Sequence, residues 1–223
     1  MKATAHKGIA FLHIHGYNTS DYRRTVGRFH QKCLDNGHVS QVLVYHADNA
    51  RAARRKNPVT AERLNNRVQQ LKDSGYLVVV MAHSNGNTIL RMAYDSYKTD
   101  IDIAICVQPA LPSGLNPCPS AKRVFVVWNP EDFIVKLGRR LTFITRLISK
   151  RWAAQRNWGQ MGFTGYTGAD RSVTSLNSLC DFSEGQASGH SGLFHDDDSD
   201  ALLQALYQKT IDEAFLIAPL TIF

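Results

Sequence analysis

The sequence predicts an α/β fold, a mostly parallel central sheet with helices on both faces. Two observations carry that expectation. Short apolar runs of strand length recur along the chain. Each is followed by a longer stretch with helical character. A third observation sets the scale. The 223 residues are 43% hydrophobic and 9% aromatic, with no internal repeat and no linker-like break, which suits one domain over 1–223 with a substantial core.

The elements follow in order. Ile9 to Ile14 reads as the first strand, bounded by His15-Gly16. A helix follows from Ser20, with Tyr22, Val26, Phe29 and Cys33/Leu34 on one face, and Asn36-Gly37 stops it. Gln41 to Tyr45 is a second strand. Asn57-Pro58 then precedes Thr60, read as an N-cap; Leu64, Val68 and Leu71 form the helix face and Ser74-Gly75 the stop. Tyr76 to Ala82 is the third strand. The next helix, Asn87 to Tyr97, turns Ile89/Leu90, Ala93 and Tyr97 inward. Ile101 to Val107 and Arg123 to Trp128 are strands four and five. Residues 134–151 form a basic helix with Ile134, Leu137, Leu141, Ile144 and Ile148 on its apolar face. Val173 to Leu179 is the last strand and Ser199 to Phe215 the last helix. The stretches 109–122 and 152–172 are pocket-forming loops or a small cap.

Composition excludes some classes. No apolar stretch reaches the roughly 18 residues of a membrane span. The N-terminal apolar segment is short, is interrupted by His13 and His15, and reads as a strand rather than a signal peptide. Cys33, Cys106, Cys118 and Cys180 are scattered thiols suited to a reducing compartment, so the expected location is cytoplasmic. The net charge of +7 favours acidic partners without fixing one.

The third strand runs into Ala82-His83-Ser84-Asn85-Gly86 and then directly into a helix. A sharp strand-to-helix turn strains its central residue and crowds the positions two before and two after, which must be small; here they are Ala82 and Gly86. Such a turn points the Ser84 hydroxyl outward. It also sets the Asn85 N–H at a helix N-terminus, where it can stabilise a developing oxyanion.

This pentapeptide resembles the nucleophile elbow of the α/β-hydrolase superfamily, G-x-S-x-G, with Ala82 in place of the first glycine. The resemblance runs from residue 9 to about 215 and implies a minimal version without a leading antiparallel hairpin. It implies a second oxyanion N–H in the loop His15-Gly16-Tyr17-Asn18-Thr19-Ser20, from Tyr17 or Asn18. It places the triad acid after a later strand. The loop after the fourth strand holds no carboxylate, and after the fifth Asp132 matches, with Glu131 adjacent. It places the base between the last strand and the last helix, where His190 stands between glycines and His195 beside three aspartates; His190 is preferred. His83 must point away from the serine. The implied activity is a Ser84-His190-Asp132 serine hydrolase of the carboxylesterase type. It would act on a small-molecule ester or thioester and need neither metal nor organic cofactor; lipase and peptidase are variants of the same reading.

Rival readings belong to other classes. The basic helix with Lys136, Arg139, Arg140, Arg146, Lys150 and Arg151 could serve a non-catalytic binding module or touch a membrane surface, but no nucleic-acid-binding motif accompanies it. His-x-His at His13 and His15 would put two rings on one strand face, and His190, His195 and Asp196 to Asp198 are a second candidate metal group.

Overall fold

The computed structural model describes residues 6–16, 25–46, 50–132, 160–178, 181–182, 192–195 and 199–218. Six strands are present among them: β1 (Gly8–Ile14), β2 (Val39–Leu43), β3 (Tyr76–His83), β4 (Ile103–Val107), β5 (Arg123–Trp128) and β6 (Val173–Asn177). The helices are α1 (Gly27–Asp35), α2 (Ala50–Asp73), α3 (Gly86–Tyr97), the short α4 (Met161–Thr164) and α5 (Gly192–His195), and α6 (Ser199–Ile217). All six strands are parallel, in the order β2-β1-β3-β4-β5-β6. The expected α/β architecture is therefore the observed one.

Strand alternation divides the core into two halves. Ala10, Leu12, Ile14, Val78, Val80, Ala104 and Val126 face one way, with Leu64, Val68 and Leu71 of α2 and Ile89 and Leu90 of α3. Ile9, Phe11, Val79, Met81, Ile105 and Val127 face the other, with Phe29 and Cys33 of α1 and Leu202, Leu203 and Leu206 of α6. Covered on both faces, Leu77 to Ala82 of β3 and Ile103 to Val107 of β4 are apolar at every position and read as unbroken apolar runs. Each fully buried Leu or Ile contributes roughly 1.5–3 kcal/mol over its exposed state.

The helix stop at Asn36-Gly37 forms as expected. Gly37 takes a left-handed φ of 76°, its N–H donates to Leu34 O at 2.9 Å, and His38 N–H donates to Cys33 O at 3.0 Å. That pair of bonds satisfies carbonyls the helix end would otherwise leave open.

Four local expectations are corrected. The helix expected to start at Thr60 starts at Ala50 and runs through Pro58. An interior proline costs about 3 kcal/mol, but Ala53, Asn57, Thr60 and Ala61 are all buried on this helix, and that burial outweighs the local penalty. Thr60 is no N-cap; its hydroxyl donates to Lys56 O at 2.8 Å. Tyr97, expected to face inward, is 43% exposed, while Ile89, Leu90 and Ala93 of the same helix are buried as expected. His195, expected in the N-terminal region of the last helix, belongs to the separate short helix α5. The basic helix at 134–151 lies outside the described residues, and none of the described helices is long and apolar enough to cross a membrane.

His13 is fully buried on β1 between Phe11 and Phe29, and its Nε2 shares the Ser40 hydroxyl with His30 Nδ1 at 2.8 and 2.7 Å. Burial, and secondarily the neighbouring His30, push its pKa down to about 3. Between its ordinary value of 6.5 and about 3, the unfolded chain takes up a proton that the native chain refuses. Stability is therefore full above 6.5 and falls as the pH drops below it. By pH 5 the loss from this one group is expected to be roughly 2 kcal/mol. Thermal melting of the wild type against His13→Phe across pH 5 to 7 checks it: the variant should show the shallower decline.

Candidate active site

The site is built where the sheet reverses its winding. The chain leaves β1 for β2 at one edge, then returns to lay β3 against the other side of β1. In an open parallel sheet that reversal opens a crevice at the carboxyl ends of the two central strands. The segments that meet there are His15-Gly16 after β1 and Ser84-Asn85 after β3.

Ser84 stands in the turn between β3 and α3 with φ of 51°, a left-handed conformation rare for a residue with a Cβ. Such a conformation costs on the order of 1–3 kcal/mol and persists only when its surroundings enforce it. The enforcing contacts are visible. Ser84 N–H donates to Val107 O of β4 at 3.0 Å, and Ser84 O accepts the Asn87 N–H at 3.1 Å. The fully buried Asn87 amide nitrogen lies 3.1, 3.2 and 3.2 Å from the carbonyl oxygens of Ala82, Ser84 and Val107, tying the turn to both strands beneath it.

Two glycines interlock the segments. A Cβ on Gly86 would stand 2.6 Å from Ile14 O and 3.1 Å from His15 O. A Cβ on Gly16 would stand 3.0 Å from His83 Nδ1 and 3.3 Å from Ser84 Cβ. Gly86 needs glycine because backbone carbonyls crowd it, whereas at Gly16 the crowding comes from side-chain atoms of His83 and Ser84, which would have to give by a few tenths of an ångström.

Asn85 opens α3 in helical conformation, and its N–H finds no acceptor among the described residues. A free N–H at the start of a twelve-residue helix is a ready donor to negative charge. Its side chain is fully engaged: Asn85 Nδ2 donates to Tyr45 Oη at 2.8 Å and to Asn57 Oδ1 at 3.1 Å, and Asn57 Nδ2 returns a bond to Asn85 Oδ1 at 3.2 Å. Tyr45 Oη donates in turn to His15 O at 3.2 Å. Tyr45 N–H donates to His15 Nε2 at 3.2 Å, so Nδ1 carries the histidine's proton and donates to Gly16 O at 2.7 Å. Burial holds His15 below its ordinary pKa against the opposing pull of the Gly16 carbonyl, and burial pushes the Tyr45 phenol up to about 12. Both groups are neutral around pH 7.

Asp132 lies beyond β5, two strands from β3 on the same carboxyl rim, and is fully buried, while Glu131 is exposed. Its turn is built by Asn129, whose Oδ1 accepts Glu131 N–H at 2.8 Å, whose O accepts Asp132 N–H at 3.0 Å, and whose N–H donates to Gly162 O at 2.9 Å. Between the two strands stands Gln108, buried, with φ of 44° and its N–H donated to Val127 O at 2.7 Å. The structure thus brings Ser84, Asn85 and Asp132 to one rim. Tyr17, Asn18 and His190 lie outside the described residues. His83 is buried, with its ring edge-on to Phe194 at 5.2 Å on the α6 side of the sheet.

The paired histidine reading is corrected. His13 packs with Phe11 and Phe29 on the α1 side, whereas His15 stacks on Tyr45 at 4.5 Å on the α2 side. Strand β1 ends at Ile14, so alternation no longer governs His15. Among the described residues no three His, Cys, Asp or Glu side chains gather as a metal site would require. Cys33, Cys106 and Cys118 are buried free thiols.

Asn87, Tyr45, Asn57, Asn129 and Gln108 were not singled out by sequence. Asn87 alone left a local signal, a polar residue beginning the otherwise apolar face of a buried helix.

No protein-family model matches the sequence, and no curated protein sequence matches it. Solved structures do match by shape. A metagenome-derived lipolytic enzyme superposes with a TM-score of 0.56 at 11% identity, over 94% of this chain and 96% of the other. An esterase of Pyrococcus furiosus gives 0.52 at 12% identity, over 96% and 84%. A protein of Xanthomonas campestris assigned to the α/β superfamily of hydrolases gives 0.50 at 15%, over 89% and 98%. At such identities the likeness concerns backbone architecture, and with the parallel sheet and strained serine turn it identifies the chain as having the α/β-hydrolase fold.

Proposed function

We propose that the protein is a serine hydrolase of the carboxylesterase type, cleaving a carboxylic ester or thioester through a covalent acyl-enzyme. The observation that carries this reading is Ser84 itself. It is held in a left-handed backbone conformation at the sheet's switch point, beside an Asn85 N–H that no described residue accepts. A merely structural turn would relax to glycine at no loss, and strain of this kind collects at reactive positions.

In this mechanism His190 takes the Ser84 proton as the hydroxyl attacks the acyl carbonyl. The tetrahedral oxyanion is held by the Asn85 N–H and that of Tyr17 or Asn18. Collapse expels the alcohol or thiol, which receives the proton from His190. Water then attacks the acyl-serine with His190 as base, releasing the acid and restoring the hydroxyl. Asp132 orients the imidazole and stabilises its cationic form. The burial of Asp132 and the exposure of Glu131 support the first of the two as the acid, since a carboxylate shielded from water interacts more strongly with an imidazolium.

A fluorophosphonate probe tests the assignment. It should label the native protein at Ser84, and a p-nitrophenyl ester panel of varied acyl length should be turned over. His190→Ala should lose labelling and turnover by about 10³-fold or more, while His195→Ala stays near wild type. A native protein inert to both probe and panel would reject the reading, and the reverse order of the two histidine variants would move the base to His195.

A further inference from the structure

The groups that fix the two backbone segments of the proposed oxyanion hole converge on one side chain. Asn85 supplies one donor from the elbow, and the loop opening at His15-Gly16 supplies the other. Tyr45, which stands after β2 and belongs to neither segment, touches both. Its hydroxyl accepts from Asn85 Nδ2 at 2.8 Å and donates to His15 O at 3.2 Å, so one oxygen bridges elbow and loop. Its N–H holds His15 Nε2 at 3.2 Å, and its ring lies on the imidazole at 4.5 Å and 13°. The imidazole then uses its remaining proton on Gly16 O at 2.7 Å. Gly16 is the last described residue of that segment. Tyr17 itself lies outside the described residues. From the far side Asn57 of α2 closes a reciprocal amide pair on Asn85 at 3.1 and 3.2 Å.

We propose that Tyr45 is a positioning residue that holds the Asn85 end of the serine turn against the His15-Gly16 segment, with His15 and Asn57 as its braces. The proposal rests on the serine-hydrolase reading and extends it. The phenol is 4% exposed and is shared between two polar groups of opposite sense, so it can do both tasks only in one orientation. Removing the hydroxyl leaves the ring stack on His15 but frees the Asn85 amide and the His15 carbonyl to move apart. Donors aimed at an oxyanion act in the transition state and not in the ground-state complex.

Tyr45→Phe is the test. Removing an oxyanion donor outright costs about 10²–10³ in kcat, so misplacing one is expected to cost roughly 10-fold in kcat with KM unchanged. Affinity for a trifluoromethyl ketone, which forms a tetrahedral oxyanion on the serine, should fall by the same factor. Asn57→Ala, which loosens the brace and leaves the bridge in place, should fall in the same sense by less. A merely structural role would lower the melting temperature and the active fraction, and would leave kcat per labelled active site and ketone affinity at wild-type values. That result would overturn the proposal while leaving the hydrolase reading intact. A native protein that neither labels nor turns over would overturn both.

Discussion

Replacing Ser84 by alanine is expected to lower kcat for a p-nitrophenyl ester by about 10⁴–10⁶ while the chain stays folded. The size follows from what the hydroxyl does: without it no acyl-enzyme forms, and the donors can only assist direct attack by water. The fold should tolerate the change. The Ser84 bonds to Val107 O and to the Asn87 N–H and Nδ2 run through its backbone, and alanine keeps all three. Alanine also keeps the left-handed penalty, so melting should shift by no more than a few degrees. Ser84→Gly separates the two effects. Glycine relaxes at a φ of 51° and should gain about 1 kcal/mol of stability while remaining as inactive as alanine. The pair is measured by steady-state kinetics and thermal melting. Turnover that persists in Ser84→Ala would remove Ser84 from the chemistry.

At the opposite end of the sheet, Asp102→Ala is expected to be strongly destabilising. Asp102 is fully buried just before β4, yet it is charged. Burial pushes its carboxyl up, but the ammonium of Lys72 at 2.7 Å, the Val78 N–H at 2.9 Å and the ammonium of Lys122 at 3.0 Å outweigh that and hold it below the ordinary carboxylate value. Truncation leaves the buried Val78 N–H without an acceptor in the middle of the core sheet. The two lysines fare better: Lys72 retains Asp100 at 3.2 Å, and the Lys122 side chain is half exposed. The loss should therefore sit at the low end for a broken buried pair, about 3 kcal/mol, or roughly 6–12 °C in a chain of this size. Asp102→Asn, which can still accept from Val78, should lose less. Because the folded pKa is depressed, the wild-type contribution is present above the ordinary carboxylate value of about 4 and is lost as the pH falls through the folded one. That window overlaps the lower end of the one set by His13, which runs from 6.5 to about 3, so the acid decline should steepen below about pH 4. An Asp102→Ala protein as stable as wild type would show that the buried ion cluster costs as much to desolvate as its attractions return.

Much of this was legible in the residues, for reasons that differ from element to element. Arg123 to Trp128 matches the observed bounds, because the apolar run Val124 to Val127 is buried throughout and Arg123 and Trp128 mark where that burial ends. The serine turn was readable because crowding demands small neighbours, and Ala82 and Gly86 stand in the pentapeptide itself. The start of α2 was not, because Pro58 is a strong local stop signal and the burial that overrules it depends on partners elsewhere in the chain. The bonds of Tyr45 and Asn57 to Asn85 span 40 and 28 residues, and no local pattern announces them. The His13-His15 pairing failed because it assumed the strand continued one residue further than it does.

The contact of Gly16 with the serine turn ties the candidate site to β1 and β3, two interior strands of the sheet. β1 and β3 are flanked on both sides, whereas only β2 and β6 form the margins of the described sheet. Margins open first and most often, and interiors only when the whole domain gives way. Ser84 and the Asn85 N–H thus share the lifetime of the native state as a whole, and transient fraying at either margin leaves them in place.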